Sequence, residues 1–247
     1  MGNLDINGER TNGQSLSKRA RSVLKRMPGL RSSWYFSAFI YELLSHRPSH
    51  ARAGFDALFT RSADPWQFHR PMEQTRFLRE LTMITDVHGP SHIRRTIEIG
   101  CAEGIFTEIL ASHCESLLAL DLSPVALSRA RQRCARLSHV RFAEFDVRYE
   151  AVPGTFDLVV ASCVLEYIAW PATMRRVRSR LVSSIAPGGL LLVSSTTGND
   201  VLDHAWWARV LVRGKWINHF FATHPALEIV AEEETARHVD TLFRKRR

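Results

Sequence analysis

The chain has 247 residues, 45% hydrophobic and 23% charged, the proportions of a soluble globular protein with one medium domain and an appendage. Its net charge of +8 sits at the ends: residues 1–52 hold nine Lys/Arg against three Asp/Glu, the last four residues are Arg244-Lys245-Arg246-Arg247, and residues 53–243 hold 20 basic against 22 acidic side chains. A near-neutral body argues against a protein built around a nucleic-acid groove, although basic ends can touch phosphate or an anionic membrane.

The four cysteines, Cys101, Cys114, Cys134 and Cys163, have neither CxxC spacing nor a secretory signal ahead of them, which excludes a disulfide framework or zinc site and makes a reducing cytoplasm the default. The apolar run 32–41 is half the length a bilayer needs, and the uncharged stretch 181–199 is interrupted by Pro187-Gly188-Gly189 and by Ser and Thr, so no transmembrane segment is expected. The start Met-Gly-Asn-Leu-Asp-Ile also fails the myristoylation pattern.

In chain order, residues 1–15 are polar, lack an apolar period and are expected to be disordered. Leu16, Ala20, Val23, Leu24 and Met27 recur at three and four among basic residues, which predicts a basic amphipathic helix ended by Pro28-Gly29. A second helix, about 33–45, is aromatic and apolar nearly all round; it packs on its own domain or docks on a partner or membrane surface. Residues 16–52 thus form a helical extension, joined through Arg47–Arg52 to a main domain over 53–247.

Beyond residue 90, short apolar strands at about 96–99, 116–121, 140–145, 156–161 and 190–195 alternate with helices at about 104–113, 124–137 and 172–185. This order implies a doubly wound α/β domain with a mostly parallel sheet. Ser123-Pro124 is a helix start signal, and Pro187-Gly188-Gly189 reads as a helix stop before the next strand. Residues 227–233 and 237–244 alternate and read as a closing antiparallel pair.

In such a sheet the first strand-to-helix turn is a ligand site. The dinucleotide pattern GxGxxG fails here, because positions 100, 102 and 105 are Gly, Ala and Ile. An acidic-x-Gly-x-small-x-Gly frame fits as Glu98, Gly100, Ala102 and Gly104. A carboxylate at that strand end would repel a diphosphate and suits a cation, and S-adenosylmethionine is a cation without pyrophosphate. Asp121, 23 positions after Glu98, suits the ribose hydroxyls, and Asp146 after the third strand suits the adenine amino group.

The stretches EIGCAEG, LALDLSP, FAEFDV, FDLVVASCVLEYI and APGGLLLVSST together resemble motifs of class I S-adenosylmethionine-dependent methyltransferases across about 94–243. The resemblance implies their seven-stranded, Rossmann-like sheet with the last strand antiparallel. It carries Glu98, Gly100, Ala102 and Gly104 to the methionine end, Asp121 to the ribose, and Asp146 with its neighbour Val147 to the adenine; Ser162 at the end of the fourth strand joins this cofactor set. Upstream, Phe55-Asp56-Ala57-Leu58-Phe59 and Ala63-Asp64-Pro65-Trp66 look like the entry of methyltransferases similar to nodulation protein S, which N-methylates a chitooligosaccharide amine. That group often continues Tyr-Glu-x-x-Lys-Tyr; here Met72, Glu73, Arg76 and Phe77 align, so the tyrosines are absent while Arg76 keeps a positive charge for the cofactor carboxylate. Trp66 either covers the cofactor cleft or staples the first helix to the sheet.

Methyl transfer is an in-line displacement, so the protein mainly aligns the reactants and excludes water; a hydroxyl acceptor additionally needs a base. Glu166, after the fourth strand, ranks first as proton acceptor and His219 second. His204, His219 and His224 accompany Trp206, Trp207, Trp216, Phe220 and Phe221 in a long aromatic segment that reads either as a wall for a sugar or as plain packing. Ala161-Ser162-Cys163-Val164 lacks the proline pair of base-amino methyltransferases and the Pro-Cys of pyrimidine enzymes, which argues against a nucleic-acid substrate. The expectation is therefore a methyltransferase acting on an amine or hydroxyl of a small molecule or oligosaccharide. The alternative is a catalytically idle fold that serves as a partner protein.

Overall fold

The computed structural model describes residues 48–168, 171–197 and 214–247. The expected disorder at 1–15, the helices at 16–27 and 33–45, and His204, Trp206 and Trp207 lie outside the described residues.

The described chain enters on helix α1 (Pro48–Arg61), so residues 48–52, read from sequence as a connection, form its first turn and a half. A tight turn follows at Asp64-Pro65-Trp66, where the Asp64 carboxylate accepts the amides of Phe68 at 2.9 Å and His69 at 3.0 Å. Helix α2 (Pro71–His88) starts with proline at its first position, where no amide is needed, and ends at Gly89, whose φ of +94° and amide bond to the Thr85 carbonyl close it. Its buried face is Arg76, Phe77, Glu80, Met83 and Ile84, spaced at helical period but carrying two charges.

The α/β core then runs β1 (Ile93–Ile99), α3 (Ile105–Ala111), β2 (Cys114–Asp121), α4 (Pro124–Arg133), β3 (Val140–Glu144), β4 (Phe156–Ser162), a 3-10 turn at Leu165–Tyr167, α5 (Pro171–Ser184), β5 (Ile185–Thr196), α6 (Gly214–Ala222), β6 (Leu227–Glu234) and β7 (His238–Lys245). The seven strands order as β3-β2-β1-β4-β5-β7-β6. β1 to β5 pair in parallel, and β7 lies antiparallel between β5 and β6. The expected doubly wound seven-stranded sheet is therefore present, and its strand order reverses between β1 and β4, the place where this architecture opens a ligand crevice.

Each sheet face is covered. On one, Met174, Val177 and Leu181 of α5 and Ile217 and Phe221 of α6 pack on Val159, Leu191, Val193 and Phe243. On the other, Phe77 and Ile84 of α2 and Phe106 and Leu110 of α3 pack on Leu158, Val160, Leu192 and Leu242, with Phe77 and Phe106 stacked at 4.9 Å. The structure corrects two readings. Pro187-Gly188-Gly189 does not precede β5 but lies within it as a bulge, where pairing with β4 jumps from Phe156–Ile185 to Leu158–Leu190. Phe221, counted with a possible substrate wall, is fully buried in the core.

Candidate active site

The crevice is lined by the carboxyl ends of β1, β2 and β4. From β1 the chain turns through Gly100–Gly104, with left-handed φ at Gly100 (+77°), Ala102 (+47°) and Gly104 (+78°). The two glycines answer different demands. A Cβ on Gly100 would stand 2.4 Å from Cγ2 of Val164, so the turn lies directly against the segment leaving β4; one on Gly104 would meet Cβ of Ala130 at 3.0 Å, where α3 abuts α4. The amides of Gly100 and Cys101 both donate to the Leu120 carbonyl, at 2.7 and 3.0 Å, fastening the turn to β2.

Two carboxylates hold the turn. Glu98, buried under it, accepts from the Thr107 hydroxyl at 2.6 Å. Asp121, the last residue of β2, accepts the Ala102 amide on Oδ2 and the Ser123 amide on Oδ1, each at 2.8 Å. The Asp121 carboxylate keeps acceptor capacity beyond these amides. Burial pushes Glu98 up to about 7, assisted by the charges of Glu80 and Asp121 and opposed by the Thr107 hydrogen bond. Burial likewise pushes Asp121 up to about 6, against the hydrogen bonds it accepts from Ser123, Ala102 and Leu122. These are carboxylates short of a positive neighbour, and a cation beside them relieves the cost of ionising.

Asp146 lies two residues past β3, and its carboxylate is gripped by Arg148, with Nε on Oδ1 at 2.9 Å and a terminal nitrogen on Oδ2 at 2.7 Å. Val147 beside it is buried in the core.

On the α2 side, Arg76 is 2% exposed; its Nε donates to Glu73 at 2.9 Å, and its Nη1 to Glu80 Oε1 and to the Ser162 hydroxyl, both at 2.6 Å. Ser162, at the end of β4, donates onward to Glu80 at 3.0 Å, so it joins helix and strand. Glu80 is fully buried, and its second oxygen has no partner. Sequence reading missed Glu80, although a carboxylate four residues after Arg76 on one helix face was the available signal.

Past β4, Cys163 takes a left-handed φ of +49° and the chain turns into Leu165–Tyr167. Glu166, 9% exposed, accepts the Thr196 amide of β5 on Oε1 at 2.7 Å. Thr196 lies two residues beyond Ser194, the partner of the last β4 residue, so the carboxylate takes up a ladder amide left over where β4 ends. Its Oε2 is buried without a partner, and burial pushes the group up to about 7, opposed by the hydrogen bonds from the Thr196 and Glu166 amides. Tyr167 meets Phe55 edge-on at 5.4 Å and Trp66 at 5.6 Å, and Trp66 also packs in the cluster containing Ala102 of the turn. His219 instead faces solvent on α6, whose sheet side carries Ile217 and Asn218. Trp216, stacked on Phe220 at 5.1 Å, is exposed on the same helix.

Two further contacts, unforeseen from sequence, tie α1 to the crevice. The Ser123 hydroxyl, which caps α4 by accepting the Ala126 amide, donates to Asp56 of α1. Arg129 of α4 donates to the carbonyls of Phe59 at 2.6 Å and Ser62 at 2.8 Å and to Glu103 of the glycine turn at 2.6 Å. Among the described residues there is no group of three or more His, Cys, Asp or Glu side chains that could hold a metal ion, and no helix is long and apolar enough to cross a membrane.

The family profile of nodulation protein S (NodS) matches residues 56–211. The chain is 37% identical to nodulation protein S of Rhizobium tropici over 133 residues, 53% of this chain and 55% of the relative. It is 38% identical to that of Sinorhizobium fredii over 133 residues, 53% of this chain and 60% of the relative. The alignments thus span little more than half the length of these curated relatives. Among solved structures, N-methyltransferase NodS from Bradyrhizobium japonicum WM9 in complex with S-adenosyl-L-homocysteine superimposes with a TM-score of 0.63 at 26% identity, covering 85% of this chain and 98% of that one.

Proposed function

The chain belongs to the nodulation protein S family, and from that membership and the acidic crevice we propose that it is an S-adenosylmethionine-dependent methyltransferase acting on an amine or hydroxyl of a small molecule or glycan. The observation that carries the reading is Asp121, with both oxygens oriented by backbone amides at the edge of a left-handed turn and the carboxylate retaining acceptor capacity.

The residues fit the cofactor. Gly100 keeps the turn clear of side chain where it meets Val164, and Glu98, Glu80 and Asp121 supply negative charge that the described crevice does not fully balance. S-adenosylmethionine, when bound, supplies a methyl group on a positively charged sulfur. In this reading the Asp121 carboxylate accepts the ribose hydroxyls. Glu98 and the Gly100, Ala102 and Gly104 backbone hold the methionine end, where Arg76 and Ser162 contribute charge and hydroxyl. Asp146 and Val147 border the adenine, with Arg148 sharing the Asp146 carboxylate. Trp66, beside Tyr167 and the turn, closes the crevice against water, which matters because the displacement needs alignment and a dry site more than covalent help. Glu166, held by Thr196 and raised to about 7, takes the proton that the acceptor loses on Oε2. The aromatic pair Trp216 and Phe220 supports an oligosaccharide as acceptor. Four free cysteines, three of them buried, accord with a cytoplasmic enzyme.

The test is calorimetric titration of the full chain with S-adenosylhomocysteine, with NADH as control. Micromolar binding of the first alone supports the reading, and binding of neither by a folded sample turns it toward a non-catalytic partner protein.

A further inference from the structure

Three buried polar atoms on side chains that belong to β5 or are bonded to its neighbouring residues stand without partners: Oε2 of Glu166, Oγ of Ser195 and Oδ1 of Asn218. Glu166 is placed there by its bond to the Thr196 amide, the residue after Ser195. Asn218 is placed there from α6 by its Nδ2, whose two N–H groups are shared among three acceptors: the Val193 carbonyl at 3.0 Å, the Val239 carbonyl at 3.1 Å and the Thr241 hydroxyl at 2.7 Å. Val239 is the register partner of Ser195, and Thr241 that of Val193. Side chains alternate along a strand, so Ser195 shares the sheet face of Val193, which packs under α6.

The orientation of the Asn218 amide is fixed by chemistry. The Thr241 hydroxyl spends its proton on Glu232 Oε2 at 3.0 Å, so toward Asn218 it can only accept, as the two carbonyls can only accept. The amide nitrogen must therefore face the strands, and its oxygen must point away from them. Ser195 and Asn218 are 0% and 3% exposed, and leaving a buried acceptor unpaired is costly. Two of the three atoms are obligate acceptors when Glu166 is ionised, and the third is a hydroxyl that can serve either way. The set calls for a ligand that donates. It lies one residue from the end of the β4–β5 pairing, on the flank of the crevice away from the glycine turn, which is bound to β2.

We infer that Glu166, Ser195 and Asn218 form the subsite that orients the acceptor, by taking hydrogen bonds from N–H and O–H groups next to the atom that is methylated. This rests on the methyltransferase reading and deepens it. Ser195 and Asn218 are positioning residues that select a donor-rich ring over one whose polar groups are blocked, while Glu166 serves both orientation and proton transfer.

The experiment titrates the full chain, loaded with S-adenosylhomocysteine, with a glucosamine oligomer and with its per-O-methylated counterpart, which has lost its hydroxyl donors. The wild type is expected to prefer the first by about tenfold, the worth of one or two net hydrogen bonds. Ser195→Ala and Asn218→Leu are expected to erase that preference while S-adenosylhomocysteine affinity stays within twofold of wild type. A general loss of packing would weaken both oligomers alike, so the ratio isolates positioning. Should Asn218→Leu fail to fold, Ser195→Ala alone decides, since it removes only an unpartnered hydroxyl. A preference that survives in the variants, or is absent from the cofactor-loaded wild type, overturns the subsite and leaves the methyltransferase reading standing. Failure of the wild type to bind S-adenosylhomocysteine overturns both.

Discussion

Asp121 accepts the amide of Ala102 at 2.8 Å, and this single bond joins the end of β2 to the strained middle of the glycine turn. A non-glycine residue at φ +47° is disfavoured, and the Asp121 carboxylate is one of the groups that hold it there. Asp121→Ala is therefore expected to weaken cofactor binding by about 2–4 kcal/mol, through loss of charge-assisted bonds to the ribose and of the turn's own support. Calorimetry with S-adenosylhomocysteine on a variant of native circular dichroism checks it, and unchanged affinity would remove Asp121 from the site.

Gly100→Ala brings a methyl group to 2.4 Å from Val164 Cγ2 at a φ of +77°. Left-handed strain of about 1–2 kcal/mol adds to overpacking of about 1–3 kcal/mol. The melting temperature should fall by several degrees, and a second change, Val164→Ala, should restore only part of the overpacking share, because the Val164 Cβ, 2.8 Å away, remains. Full recovery in the double variant would show that backbone strain contributes nothing.

Glu98 and Glu166 each rise from 4.5 to about 7, and Asp121 from 3.8 to about 6. A carboxyl with a raised folded-state pKa binds more protons folded than unfolded, so its contribution is complete below the unfolded value and is lost as pH rises through the folded one. The ligand-free protein should thus lose stability from about pH 4 to about pH 7, most steeply between about 5 and 6, where all three groups are largely protonated when folded and ionised when unfolded. Denaturant melts at several pH values measure this, and Glu98→Gln should flatten the slope. A stability that climbs with pH over that window would contradict the ionisation states assigned to the crevice.

Glu166→Gln keeps an oxygen for the Thr196 amide but cannot take a proton. Turnover with a hydroxyl acceptor, or with an amine presented protonated, should drop by about 10²–10⁴-fold while S-adenosylhomocysteine affinity is unchanged. Equal turnover in variant and wild type would leave Glu166 as a cap on β5 alone.

Arg129 joins α1 to the glycine turn through Phe59, Ser62 and Glu103. Being a third exposed, it is worth about 1–2 kcal/mol, less than a buried arginine. Arg129→Met should raise amide exchange in α1 first and weaken cofactor binding only a fewfold. Exchange that rises uniformly across the sheet would show instead that α1 and the core open as one unit.

The succession of strands and helices along the chain and the glycine turn were legible because they rest on local signals. Apolar strands alternate with helices, Ser123-Pro124 starts α4, and Glu98, Asp121 and Asp146 fall at or just past strand ends. The bulge at Pro187-Gly188-Gly189 was misread as a boundary, since a proline and two glycines look alike in a stop and in a bulge; only the pairing with β4 separates the two. The contacts of Glu80, Arg129 and Asn218 with β4, α1 and the β5–β7 seam join residues 82, 70 and 25 or fewer positions apart, which no periodicity reports. His219 was chosen as a residue type in a plausible segment, but the helical phase that puts Asn218 against the sheet turns its neighbour to water.

The cofactor assignment is tested most directly by a crystal structure of the full chain with S-adenosylhomocysteine. Ribose hydroxyls are expected on the Asp121 carboxylate, the methionine end against Gly100–Gly104 above Glu98, and the sulfur facing the Glu166 side of the crevice. A ligand seated elsewhere, or an Asp121 carboxylate that keeps only its amide partners, would contradict it.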